Sequence, residues 1–203
     1  MNGLSFIIVH DSVLIPGSQV LQCGEIRVGG DWSSASLMMV AALVSGGSVS
    51  IAGLDALSTQ GDRRILDVLA QFGAQVEVGS AVRVQHQSLV SPGRVDVSGT
   101  PDLFPPLCVL AACAQGTTTL LGSPGLRNKE CDRIKAMAAA LEVAGIACTE
   151  RGDGLVIQGG TPKAGVYNSF GDHRVHMALV GLALAASEPS TINGAWSTAI
   201  SYP

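Results

Sequence analysis

Three polar clusters stand out in a chain with few charges: GGDWSSAS at 29–36, LRNKECDR at 126–133 and GDHR at 171–174. Each opens a predicted helix. The first turn of a helix presents free N–H groups and the positive end of the backbone dipole, so it favours anions. On a helix, Lys129 and Arg133 are four residues apart and share a face. Two cations so placed repel unless an anion lies between them. Glu130 beside Lys129 and Asp132 beside Arg133 add carboxyl groups suited to acid–base chemistry. The plainer reading of the same run is a solvated helix start laced with ion pairs. In GDHR, Asp172 reads as a helix cap, with His173 and Arg174 in the first turn. A cation there opposes the dipole, and a bound anion removes the conflict. Asp31, and Asp102 after Pro101, also read as plain caps. His10 and His86 fall at strand patterns without ligand-like spacing, so no metal site is expected.

The elements that must position these clusters follow a rhythm set by glycines. Short strands are predicted over 4–9 and 12–15, then a turn at Pro16-Gly17-Ser18. A strand over 26–28 precedes a helix that Gly46 and Gly47 end, and a strand over 48–51 follows. A helix over 63–72 stops at Gly73, and strands over 74–78 and 81–84 flank Gly79-Ser80. The same β-α-β-α-β-β order recurs: strand 94–97, helix 102–114, strand 117–121, helix 131–144, strands 147–149 and 155–158. Pro105 and Pro106 fit only the first turn of their helix. A third unit begins with strand 165–167, helix 172–186 and strand 190–192.

The period is about 70 residues: FGAQVEV (72–78) aligns with AGIACTE (144–150), and SGGSVSIAGL (45–54) with AQGTTTLLGS (114–123). Such a repeat implies pseudo-threefold packing of an α/β fold with its most apolar helices inside. The helix after Asp172 is apolar almost all round and is expected to be buried. The third unit lacks its second helix and last strands, so the chain reads as cut short.

Composition excludes several classes. The 203 residues carry 12 Lys+Arg and 16 Asp+Glu, a net charge of −4, with 14% charged and 47% hydrophobic residues. That is too apolar for disorder, and three scattered lysines with 4% aromatics argue against nucleic-acid binding. No apolar run reaches the roughly 20 residues of a membrane helix, and no signal peptide is recognised. Five cysteines without CxxC spacing suit a reduced, cytoplasmic protein, with Cys108 and Cys113 as core hydrophobes.

Together, GDWSSAS, QGD (60–62), PDL (101–103), LRNKECDRI (126–134) and GDHRVHMAL (171–179) resemble the 3-phosphoshikimate 1-carboxyvinyltransferase (EPSP synthase) family in order and spacing. LRxKExDR followed about 40 residues later by GDHR separates that family from the UDP-N-acetylglucosamine enolpyruvyl transferases. The resemblance implies one lobe of a two-lobed enzyme, an inside-out α/β barrel of repeated βαβαββ units. Residues 1–25 are then a remnant of the preceding lobe and hinge, and 26–203 the lobe itself, in units 26–90, 91–160 and an incomplete 161–203. The implied reaction moves an enolpyruvyl group from phosphoenolpyruvate to the 5-hydroxyl of shikimate 3-phosphate, releasing phosphate, with no metal or organic cofactor. On this resemblance Asp102 takes the hydroxyl proton and Glu130 serves the methylene carbon as acid and base. Lys129 contacts the shikimate phosphate, Arg133 and Arg174 clamp phosphoenolpyruvate, and His173 adjoins them. The implied partner is the complementary lobe. The family's closing motif carries a lysine where STAISYP (197–203) has Ile200. The isolated chain is therefore expected to be inactive or nearly so, and the alternative is a non-catalytic module binding an anion or a partner.

Overall fold

The computed structural model describes residues 5–20, 24–25 and 28–202. Strands β1 (Ile7–Val9) and β2 (Ser12–Leu14) form an antiparallel hairpin. The strand expected at 26–28 lies largely outside the described residues, as does Cys23. Then follow α1 (Trp32–Val44), β3 (Ser48–Ala52), α2 (Ile65–Gln71), β4 (Gln75–Val78) and β5 (Ala81–Gln85). The second series is β6 (Arg94–Asp96), α3 (Phe104–Cys113), β7 (Thr117–Leu121), α4 (Arg133–Val143), β8 (Cys148–Glu150) and β9 (Gly154–Gln158). The third is β10 (Val166–Asn168), α5 (His173–Leu184) and β11 (Thr191–Asn193).

The sheets share one pairing scheme. β6 and β7 run parallel, β7 pairs antiparallel with β9, and β9 with β8, giving the order β6-β7-β9-β8. β3-β5-β4 repeats the last three positions, and the parallel pair β10-β11 repeats the first two. Turn chemistry explains the matching lengths. Gly46, Gly73 and Gly145 all have positive φ (77°, 89° and 71°) just beyond α1, α2 and α4. In each case the next residue's N–H reaches back to the carbonyl five positions earlier, as Gly47 does to Ala42 at 2.8 Å. Without a Cβ penalty, glycine is the residue for this left-handed stop.

α1, α3 and α5 pack against one another at the centre. At Gly181 of α5 a Cβ would lie 3.6 Å from Val109 of α3 and 3.8 Å from Ala41 of α1. α3 is buried along nearly its whole length. α5 departs from the expectation of burial all round: Val175, Ala178, Leu179 and Leu182 are buried, while Val180 and Leu184 are 40% and 54% exposed. With Leu37, Met38 and Ala41 of α1, Val180 borders an open apolar groove between the two helices.

Two starts differ from the sequence pattern. The helix expected at 63–72 opens as a 3₁₀ turn over Gly61–Arg64 before α2. The helix expected from 131 starts at Arg133, because Asp132 is extended (φ −71°, ψ 93°) and its carboxylate accepts from the Lys135 N–H. Pro105 and Pro106 do fall in the first turn of α3. Among the described residues no helix is long and apolar enough to cross a membrane.

Candidate active site

The site is built where α3, α4 and α5 begin, with the start of α1 beside it. Asp31 caps α1, accepting from the N–H groups of Ser33 and Ser34, and Asp172 caps α5, accepting from those of Arg174 and Val175. Asp102 is not a cap, contrary to the plain reading of its position. It lies in a 3₁₀ turn, Pro101–Leu103, that leads into α3, and this turn makes no side-chain capping bond. Its carboxylate is thereby left to face α4 and α5.

Arg133, 1% exposed, is the hub. Its Nε donates to Asp172 Oδ2 at 2.8 Å, its Nη1 to Asp102 Oδ1 at 2.8 Å, and its Nη2 to Glu130 Oε2 at 2.9 Å. Nη2 also reaches Asp172 Oδ1 at 3.4 Å. Arg174 Nη2 lies 3.2 Å from Asp102 Oδ2, so two guanidiniums hold the two oxygens of Asp102. His173 Nδ1 sits 3.9 Å from Glu130 Oε1. Thus Asp102, Glu130, Arg133, His173 and Arg174 come together from segments up to 72 residues apart. Two buried nitrogens there, Arg174 Nη1 and His173 Nδ1, have no hydrogen-bond partner.

Lys129 does not share a helical face with Arg133. It is an exposed, extended residue (φ −84°, ψ −159°) after the 3₁₀ turn Pro124–Asn128, before α4 begins. Nor do bare cations repel one another here, since three carboxylates already surround Arg133. Asp132 pairs with Arg127 at 3.0 Å rather than with Arg133. Arg127 also reaches Glu150 at 2.9 Å and the carbonyls of Arg151 and Gly152, tying this loop to the β8–β9 turn.

Charge and burial set the titration of the framework. Burial works to raise the Asp172 pKa, but Arg133 and the two helical N–H groups outweigh it and hold it below the usual carboxylate value. Burial likewise opposes the charge of Arg133, yet Asp172, Asp102 and Glu130 push its pKa up. Asp62 is raised, by burial first; the Ser33 hydroxyl bond opposes this, and Asp102 adds repulsion. Asp31 is lowered to about 2: burial opposes ionisation, but the Gln60 amide, the Ser34 hydroxyl and two N–H groups prevail.

Sequence spacing alone did not reveal Asp172 as the buried partner of Arg133, nor Asp62 as an acceptor for Ser33. An aspartate at a helix start is legible as a cap. A second bond to a side chain 39 positions away leaves no local trace. Among the described residues no group of His, Cys, Asp and Glu is placed to hold a metal ion.

Known proteins resemble the chain over nearly its whole length. The family model for EPSP synthase (3-phosphoshikimate 1-carboxyvinyltransferase) matches residues 5–203. The 3-phosphoshikimate 1-carboxyvinyltransferase of Methanocorpusculum labreanum is 36% identical over 204 residues, covering 100% of this chain and 48% of the relative. That of Methanocella arvoryzae is 43% identical over 189 residues, covering 89% of this chain and 43% of the relative. Among solved structures, an EPSP synthase from Acinetobacter baumannii superposes with a TM-score of 0.77 at 29% identity, over 99% of this chain and 50% of its own. The chain spans about half the length of the curated relatives it matches. With the family model matching nearly the whole chain, the conclusion is that this chain belongs to the EPSP synthase family.

Proposed function

We propose that this chain forms half of an enolpyruvyl transferase that moves the enolpyruvyl group of phosphoenolpyruvate to the 5-hydroxyl of shikimate 3-phosphate. It would do so together with a complementary lobe, in the cytoplasm. The single observation that carries this reading is the convergence of Asp102, Glu130, Arg133, His173 and Arg174. Both substrates are anions, and Arg133 and Arg174 supply charge-assisted donors for the phosphate or carboxylate of phosphoenolpyruvate. Lys129, exposed beside them, takes the phosphate of shikimate 3-phosphate. Asp102 receives the hydroxyl proton as the new C–O bond forms. Glu130 gives a proton to the methylene carbon and takes one back as phosphate leaves, with His173 beside it. Fixing these groups before reaction supplies preorganised electrostatics. The mutual packing of α1, α3 and α5, with sheets attached to each, supports an inside-out barrel of units 26–90, 91–160 and 161–203.

Ile200, at the position where the family's closing motif has a lysine, favours a second reading: a non-catalytic module that holds an anion. An apolar chain cannot replace an ammonium on a phosphate. The test is phosphate release from phosphoenolpyruvate and shikimate 3-phosphate, with the chain alone and mixed with the other half of a full-length relative. We expect no turnover alone and turnover on mixing, reduced by about 10²–10⁴-fold in Asp102→Ala or Glu130→Ala. Robust turnover by the chain alone would overturn the two-lobe reading. No turnover in any mixture, including Ile200→Lys, would leave the binding module.

A further inference from the structure

All three nitrogens of the Arg133 guanidinium are already donating to carboxylates. Because its side chain is only 1% exposed behind them, an incoming oxyanion reaches Arg133 by displacing a carboxylate. The three carboxylates are not equally held. Asp172 is 0% exposed and is fixed by the Arg174 and Val175 N–H groups as well as by Arg133. Asp102 and Glu130 have side chains 29% and 44% exposed, and they receive no backbone N–H bond. Glu130 also sits in the irregular stretch before α4, where its backbone is not part of a helix. Beside them, the buried Nη1 of Arg174 lacks a partner. It is an unspent donor that an anion can take once the carboxylates beside it move.

We propose that Asp102 and Glu130 occupy the anion subsite of Arg133 when it is empty, and that a bound oxyanion displaces them while Asp172 keeps Arg133 in place. The proposal rests on the function inferred above and adds a coupling to it. The same event that seats the anion releases the two carboxylates assigned to proton transfer. Before binding, Arg133 holds one oxygen of each, and afterwards that oxygen is free to accept a proton. Asp172 is thus a positioning residue acting through Arg133, whereas Asp102 and Glu130 compete with the ligand. Like charges that must separate on binding cost affinity, so the empty subsite is self-protected against adventitious anions.

Titration of the full chain with sulfate, and separately with acetate, tests this and distinguishes a tetrahedral from a planar oxyanion. Asp102→Asn and Glu130→Gln should each tighten binding of one of the two anions by roughly tenfold, the scale of a charge-assisted hydrogen bond no longer competed for. Asp62→Asn removes a neighbouring carboxylate that makes no bond to Arg133, and it should tighten binding by less than about threefold, as a screened field effect. With carboxyl-labelled protein, saturation with that anion should move the ¹³C signals of Asp102 and Glu130 and leave that of Asp172 in place. Unchanged or weaker affinity in both variants, an equal gain in Asp62→Asn, or a shift confined to Asp172 would overturn the displacement while leaving the anion site intact. Absence of binding by wild type and variants alike would also overturn the displacement, while turnover of the mixed halves reports separately on the proposed function.

Discussion

Burying a guanidinium costs several kcal/mol unless opposite charge and hydrogen bonds meet it in place. At Arg133 three carboxylates do so, and one of them, Asp172, is as deeply buried as the arginine. Removing the cation strands Asp172, so Arg133→Ala should cost about 3–5 kcal/mol in urea unfolding. Single-residue chemistry also predicts two opposed pH dependences. The pKa of Asp172 is depressed in the fold, so its stabilisation is present above the unfolded carboxylate value near 4 and fades as pH falls through the folded value. Asp31 behaves alike, and its loss extends down to about pH 2. Asp62 is raised, so its contribution is complete below the unfolded value and is lost as pH rises through the folded one. Asp62→Asn keeps an acceptor for the Ser33 hydroxyl and removes the charge. Its stability relative to wild type should therefore improve from pH 3 to pH 7, read from urea midpoints. A stability of Asp62→Asn that instead falls relative to wild type over that range would mean that Asp62 is not held back from ionising.

At the scale of elements, what holds the repeat together is close backbone approach. β9 runs past the end of α3 into Gly159 and Gly160, whose N–H groups donate to the Gly116 and Ala112 carbonyls at 2.9 Å each. A Cβ at Gly159 would lie 1.6 Å from the Ala114 carbonyl oxygen, which is backbone and cannot step aside. Gly159→Ala should cost at least the upper part of the about 1–3 kcal/mol seen for overpacking. Gly181→Ala meets only ordinary contacts and gains helix propensity, so it should stabilise by about 0.5–1 kcal/mol. Thermal unfolding should therefore move in opposite directions for two glycine-to-alanine changes in one chain. This scale is also where the sequence was most and least legible. Glycine stops and alternating strands marked nearly every described element, since both are local signals. The start of α4 was misplaced because Asp132, the second residue of the apparent helix, takes the capping role. Lys129, four residues before that start, is extended and does not share a helical face with Arg133. The half-open side of α5 was invisible because hydropathy reports what a helix can bury, while neighbours decide what it does bury.

For the whole molecule, the accessible surface is 10704 Å². A compact protein of this mass exposes about 8,900 Å². Part of the difference is apolar. Phe6, Ile7, Ile8, Val9, Val13, Leu14 and Ile15, on and beside the β1–β2 hairpin, are each at least half exposed. The hairpin's strands pair only with each other among the described residues. A lone two-stranded ribbon is marginal in water, so its residues add little to the stability of the packed helices and sheets. Replacing Ile8 and Ile15 with lysine should therefore change the unfolding free energy by no more than about 0.5 kcal/mol per site. The same change should reduce association of the free chain, because contiguous exposed apolar surface drives it. Urea unfolding and concentration-dependent light scattering of the double variant give the two readouts. If unfolding shifts by several kcal/mol, the hairpin is part of the cooperative core rather than an appendage to it. If stability holds and scattering falls, the helices and sheets from α1 onward carry the fold, and the hairpin supplies surface for contact with another chain or segment.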